Sequence, residues 1–76
     1  MSDYYGLLGV PSSASVAEIR QAYARLAREG HPDRFTDPAE KQRAQVAFQD
    51  VTTAFNALVN PRTRREYDEA RHRPQP

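Results

Sequence analysis

Pro32 constrains the chain more than any other residue. It stands between two stretches whose apolar residues recur with helical period, and it can lie inside neither. Its ring fixes φ, it offers no N–H, and it drives the residue before it, His31, out of the helical region. On the N-terminal side Val16, Ile19, Tyr23 and Leu26 recur at three- and four-residue steps, with Ala22 and Ala27 filling the same arc. On the C-terminal side Ala44, Ala47, Phe48, Val51, Phe55 and Leu58 do the same for about five turns. Each stripe needs an apolar surface to cover it. Two amphipathic helices joined by a connection this short satisfy each other by folding back as an antiparallel hairpin. The segment Gly30-His31-Pro32-Asp33-Arg34 is then displayed at the open end, with an imidazole and a carboxylate on either side of a rigid residue.

Start and stop signals divide the rest. Ser2 and Asp3 can cap a short helix over Tyr4–Leu8, with Gly9 as its stop and Pro11 beyond; Tyr5, Leu8 and Val10 are its core contributors. Ser15-Val16-Ala17-Glu18 has the form of a capping box and opens the first long helix, Val16–Glu29. Gly30 suits the left-handed position just past that helix's end. Asp37-Pro38-Ala39-Glu40 is a second box and opens the second long helix, Pro38–Leu58. Asn60-Pro61 leads into a last short, polar helix reaching Ala70, with Tyr67 as its anchor. The fold class is all-α, with residues 1–70 one domain and residues 71–76 a flexible tail or the start of a linker.

Composition narrows the functional classes. A chain of 76 residues is one domain near the lower size limit for unaided folding. A hydrophobic fraction of 38% supplies one thin core and no deep substrate cavity. The absence of cysteine suits a reducing compartment, and no signal peptide or membrane-length apolar run is present, so a soluble cytoplasmic module is expected. The net charge of +1 lacks the basic excess of a dedicated nucleic-acid binder. Lys41 is the only lysine among the 11 basic residues, and arginine's planar fork suits carboxylates across an interface. Arg20, Arg25 and Arg28 lie opposite the apolar stripe of the first long helix, with Gln21 and Ala24 between them. From the residues alone they are either a patch complementary to an acidic partner or a solvated face held by ion pairs such as Glu18 with Arg25. Tyr23 sits at the edge of the stripe, where its hydroxyl could reach solvent or a partner.

Five segments together resemble the J domain of the DnaJ cochaperones: Asp3-Tyr4-Tyr5-Gly6-Leu7-Leu8-Gly9-Val10, Glu18 through Ala27, His31-Pro32-Asp33-Arg34, Ala54-Phe55-Asn56-Ala57-Leu58, and Arg64-Arg65-Glu66-Tyr67-Asp68. They cover nearly the whole chain in the family's order. The resemblance implies docking on the ATPase domain of a DnaK-type heat-shock chaperone and stimulation of its ATP hydrolysis, with no catalysis, metal or cofactor in the chain itself. It implies that Arg20, Arg25, Tyr23 and Arg28 meet an acidic surface of that chaperone, that His31, Pro32 and Asp33 engage its interdomain machinery, and that Arg34 beside them also belongs to the partner-binding set. No membrane is implied, nucleic acid is disfavoured, and a monomer is expected. The chain departs from the family where a basic residue is usual at Ala24 and Glu29 and an aromatic at Gly30, which makes the docking face less positive than is typical.

Three other readings compete. His31 and Asp33, with His72 as a third ligand, could suggest acid–base chemistry or a metal, but a displayed hairpin tip offers no pocket. Arg62, Arg64, Arg65, Arg71 and Arg73 could suggest nucleic acid, but Glu66, Asp68 and Glu69 nearly cancel them. A scaffold that binds the chaperone without stimulating it is argued against by the intact His31-Pro32-Asp33. On this reading Phe48 belongs to the core, and Phe48→Ala is expected to cost about 3–5 kcal/mol.

Overall fold

Four helices and one 3-10 turn make up a computed structural model of the chain, which describes residues 3–71. Helix α1 spans Tyr4–Leu8, α2 Val16–Gly30, α3 Pro38–Val59 and α4 Pro61–Arg71, with the turn at Pro32–Arg34. No strand occurs among the described residues, and none of their helices is long and apolar enough to cross a membrane. The all-α hairpin is as expected from the two stripes. Tyr23 meets Phe55 and Thr52, whereas His31, eight residues on, meets Phe48, so α2 and α3 run antiparallel.

The helix starts follow the capping chemistry. The Asp3 side chain accepts from the Gly6 N–H at 2.7 Å, and Gly9 closes α1 in the left-handed region at φ 72°. At α2 the box is complete: Ser15 Oγ accepts from the Glu18 N–H at 3.1 Å, and Glu18 Oε1 accepts from the Ser15 N–H at 2.9 Å. The hydrogen bond from the Ser15 backbone, then that from its side chain, hold the Glu18 carboxyl below its ordinary value. This contribution to folding is therefore present above the ordinary carboxylate pKa and is lost as pH falls through the depressed one. At α3 the Asp37 side chain accepts from the Glu40 N–H at 3.1 Å, but the reciprocal bond forms only at Ser15 among the described residues. Asn60 Oδ1 accepts from the Arg62 N–H at 2.9 Å where α4 begins.

The core is thin and lies toward one end. Tyr5, Leu8, Ala14, Ile19, Ala22, Ala54 and Leu58 are buried, with Tyr4, Leu7, Val10, Tyr23, Leu26, Val51, Phe55 and Tyr67 packed around them. Leu8, Ile19 and Leu58 have no exposed surface. Phe48 does not belong to this cluster: it is half-buried nearer the open end of the hairpin, and Ala47 beside it is exposed. Val16, also placed on the stripe, is 37% exposed. The hairpin outruns the two short helices that could cover its far end, so apolar period at that end does not become burial.

Gly30 overturns an expectation. It is the last helical residue of α2, with the helix closing on His31 at φ −62° and ψ 134°, and Gly9 is the only positive-φ glycine among the described residues. Pro32 supplies the reason: by holding His31 extended it already stops the helix, so no left-handed residue is needed. A Cβ at Gly30 would meet nothing within 4 Å. Gly30→Ala is thus expected to stabilise the domain by about 0.5–1 kcal/mol, read as a rise of several degrees in Tm.

Helix α4 is fastened by polar contacts that its sequence does not advertise. Tyr67 stacks on Tyr4 at 4.5 Å between ring centroids and accepts from the Tyr4 N–H at 2.9 Å. The Arg64 guanidinium donates to Tyr5 Oη at 3.1 Å, to the Ser12 carbonyl at 3.1 Å and to the Ala14 carbonyl at 2.6 Å. Tyr5 in turn donates to Asp68 at 2.6 Å, and burial first, then this bond, raises its phenol pKa. Arg71 extends the helix one residue into the segment assigned to the tail and pairs with Asp3 at 2.8 Å. The rest of that segment, residues 72–76, lies outside the described residues.

Candidate functional site

The connection between the long helices forms a tight turn. The Arg34 N–H donates to the His31 carbonyl at 3.0 Å and the Phe35 N–H to the Pro32 carbonyl at 3.1 Å. Pro32 occupies the first position, where its missing N–H leaves no bond unmade. The turn packs on α3, so it is displayed without being loose.

Three contacts orient its side chains. His31 Nδ1 accepts from the Asp33 N–H at 3.2 Å, which assigns the neutral ring's proton to Nε2. The ring stands edge-on to Phe48 at 5.7 Å. Arg34 Nη1 donates to the Arg28 carbonyl at 2.8 Å, meeting one of the unpaired carbonyls at the end of α2 and placing a cation where the helix dipole favours it. The Asp33 carboxylate is 3.6 Å from His31 Nδ1, too far for a hydrogen bond, and its side chain is 80% exposed against 49% for His31. The outward groups are therefore an imidazole N–H donor and a free carboxylate, held on a proline turn. His72, weighed as a third ligand, lies outside the described residues.

Along α2, Arg20, Arg25 and Arg28 are exposed, and none pairs with a carboxylate among the described residues. The Glu18–Arg25 pair does not form because the Glu18 carboxylate is held on the Ser15 N–H. Arg25 and Arg28 border a shallow depression that α2 makes with Gly9, Val10 and Pro11. The Tyr23 hydroxyl lies 3.1 Å from Thr52 Oγ1 and its ring 4.2 Å from Phe55, so this half-buried side chain pins the hairpin at the edge of the stripe. Of the residues singled out in sequence, the fold gathers His31, Pro32, Asp33, Arg34 and Arg28 at the open end and strings Arg25 and Arg20 along the helix behind them. It adds Phe48, which reads in sequence as one more core aromatic and here supports His31. The only signal for that role is its distance from the buried end of α3.

Comparison with known proteins places this geometry. The DnaJ domain family model matches residues 3–68. The chain is 48% identical over 71 residues to "Chaperone protein DnaJ 1" of Streptomyces coelicolor, covering 91% of this chain and 16% of that protein. It is 52% identical over 68 residues to "Chaperone protein DnaJ" of Tropheryma whipplei, covering 90% of this chain and 18% of the relative. Against "Chaperone protein DnaJ" of Thermotoga neapolitana the identity is 44% over 66 residues, with coverages of 87% and 17%. The chain thus spans less than a fifth of the relatives it matches. With the family's segments in order on four helices and the His-Pro-Asp turn at the hairpin's tip, the chain belongs to the DnaJ domain family.

Proposed function

We propose that this domain is a cochaperone module that docks as a monomer on a DnaK-type heat-shock chaperone in the cytoplasm and stimulates its ATP hydrolysis. The observation that carries the reading is the turn itself, with His31 and Asp33 outward on a segment braced by Arg34 and Phe48. A braced turn loses little conformational entropy on docking, so its polar contacts are available to bias the partner's equilibrium. The chemistry stays in the partner: the domain binds one of its conformations better than the other and shifts the population toward the hydrolysing one. Steady-state ATP turnover by a DnaK-type chaperone, with and without the domain, tests this. An unchanged rate with the domain bound would identify a scaffold that does not stimulate.

The unpaired arginines of α2 supply a complementary face for an acidic surface. Arg20→Glu and Arg25→Glu should each raise the half-maximal concentration for stimulation, and added salt should weaken the wild-type effect because rim charges are screened. Arg62 and Arg65, exposed on α4, are suitable controls, whereas Arg71 is not, since it pairs with Asp3. Equal losses in the α4 reversals would mean that docking uses another face. Ala24 lies between Arg20 and Arg28 on the helix and is exposed, so Ala24→Lys should strengthen binding, chiefly through faster association at low salt. A nucleic-acid reading of the C-terminal arginines is weakened because Arg64 and Arg71 are engaged within the domain.

A further inference from the structure

His31 Nδ1 has two neighbours that no single protonation state satisfies together. In the neutral ring it accepts from the Asp33 N–H at 3.2 Å, while the Asp33 carboxylate stands 3.6 Å away, just beyond hydrogen-bond reach. The neutral ring carries its proton on Nε2, so the next proton must add to Nδ1. That atom then becomes a donor, which opposes the Asp33 N–H and attracts the carboxylate. Closing to the about 2.8 Å of a charge-assisted bond is a side-chain movement at a site 80% exposed. The other charged groups nearby do not compete for Nδ1. Arg28 and Glu29 precede the ring at the end of α2, and neither pairs with it; Arg34 on the turn is engaged with the Arg28 carbonyl. From α3 the ring meets Phe48, and the residues one turn to either side, Ala44, Gln45, Val51 and Thr52, are uncharged.

We propose that the turn is operated by a proton: its binding at His31 Nδ1 draws the Asp33 carboxylate onto the ring and withdraws it from the chaperone partner, so stimulation weakens on acidification. The proposal rests on the cochaperone reading and adds regulation to the same turn. Histidine is the side chain that changes charge between about pH 5 and 8, which puts the response near neutrality. The turn itself survives the change. The Arg34 and Phe35 N–H groups bond to the His31 and Pro32 carbonyls, and neither bond involves the ring. An exposed ion pair holds the carboxylate only part of the time, which sets the size of the effect. The half-maximal concentration should rise about two- to sixfold when the ring is protonated.

The test pairs a ring titration with an activity profile. By NMR on this chain, the Asp33 N–H and carboxyl carbon should both move with the midpoint of the His31 ring. ATP turnover by the DnaK-type chaperone of Streptomyces coelicolor, divided at each pH by its rate without the domain, is then titrated with wild type and Glu29→Lys. The lysine replaces an exposed carboxylate two residues before the ring with a cation, which disfavours the imidazolium. In each protein the half-maximal concentration should rise about two- to sixfold across the ring's own midpoint, and the Glu29→Lys profile should move to lower pH with its ring. An Asp33 N–H indifferent to the ring's titration overturns the proposal. So does a stimulation profile whose midpoint departs from the ring's in either protein. Both results leave the cochaperone reading standing as long as wild type stimulates at neutral pH. No stimulation by wild type at any pH overturns both.

Discussion

His31→Gln and Asp33→Asn should each reduce a DnaK-type chaperone's ATP turnover to its rate without the domain, while Tm moves by no more than a few degrees. The separation follows from exposure. Substitutions at exposed positions outside special features stay within about 0.5 kcal/mol, and these side chains are 49% and 80% exposed. Asp33→Asn keeps the backbone N–H that donates to His31, so the turn is retained and only the outward charge is removed. His31→Gln loses the ring that meets Phe48 and the Nδ1 acceptor, both peripheral to the buried cluster. Thermal melting and steady-state turnover on the same preparations decide it. Full stimulation by Asp33→Asn would show that its charge takes no part.

The second large effect is on stability, and it reverses the order that residue size suggests. Leu58 has no exposed surface and sits where α3 meets the buried cluster, so Leu58→Ala should cost about 2–5 kcal/mol and lower Tm by about 10 °C or more. For a domain of 76 residues, with stability of about 4–11 kcal/mol, that is a large share of the total. Phe48→Ala removes a larger group but a half-buried one outside the cluster, so about 1–2 kcal/mol is expected in place of the 3–5 read from sequence. Its larger consequence should be functional, since the His31 ring loses its support. Denaturant unfolding of the two variants checks the order. Phe48→Ala as damaging as Leu58→Ala would place the ring in the core after all.

The same contrast shows what the sequence by itself determined. Capping, proline placement and apolar period act within a few residues, so Asp3, Ser15, Asp37 and Asn60 mark the starts of α1, α2, α3 and α4 in the sequence as they do in the fold. The antiparallel hairpin follows from two stripes that have only each other to cover them, and the displayed turn follows from Pro32 between them. The His-Pro-Asp element was therefore legible before any coordinates. Other features depend on which end of the hairpin the short helices cover, and no local signal carries that. Tertiary packing left Phe48 half-buried beside His31, turned the Tyr23 hydroxyl onto Thr52, and drew Arg64 across to Tyr5 and the carbonyls of Ser12 and Ala14. Gly30 lies between the two cases. Its permissive backbone suited a left-handed stop, but Pro32 had already ended the helix through His31, and what the glycine contributes is the space that α3 leaves open beside it.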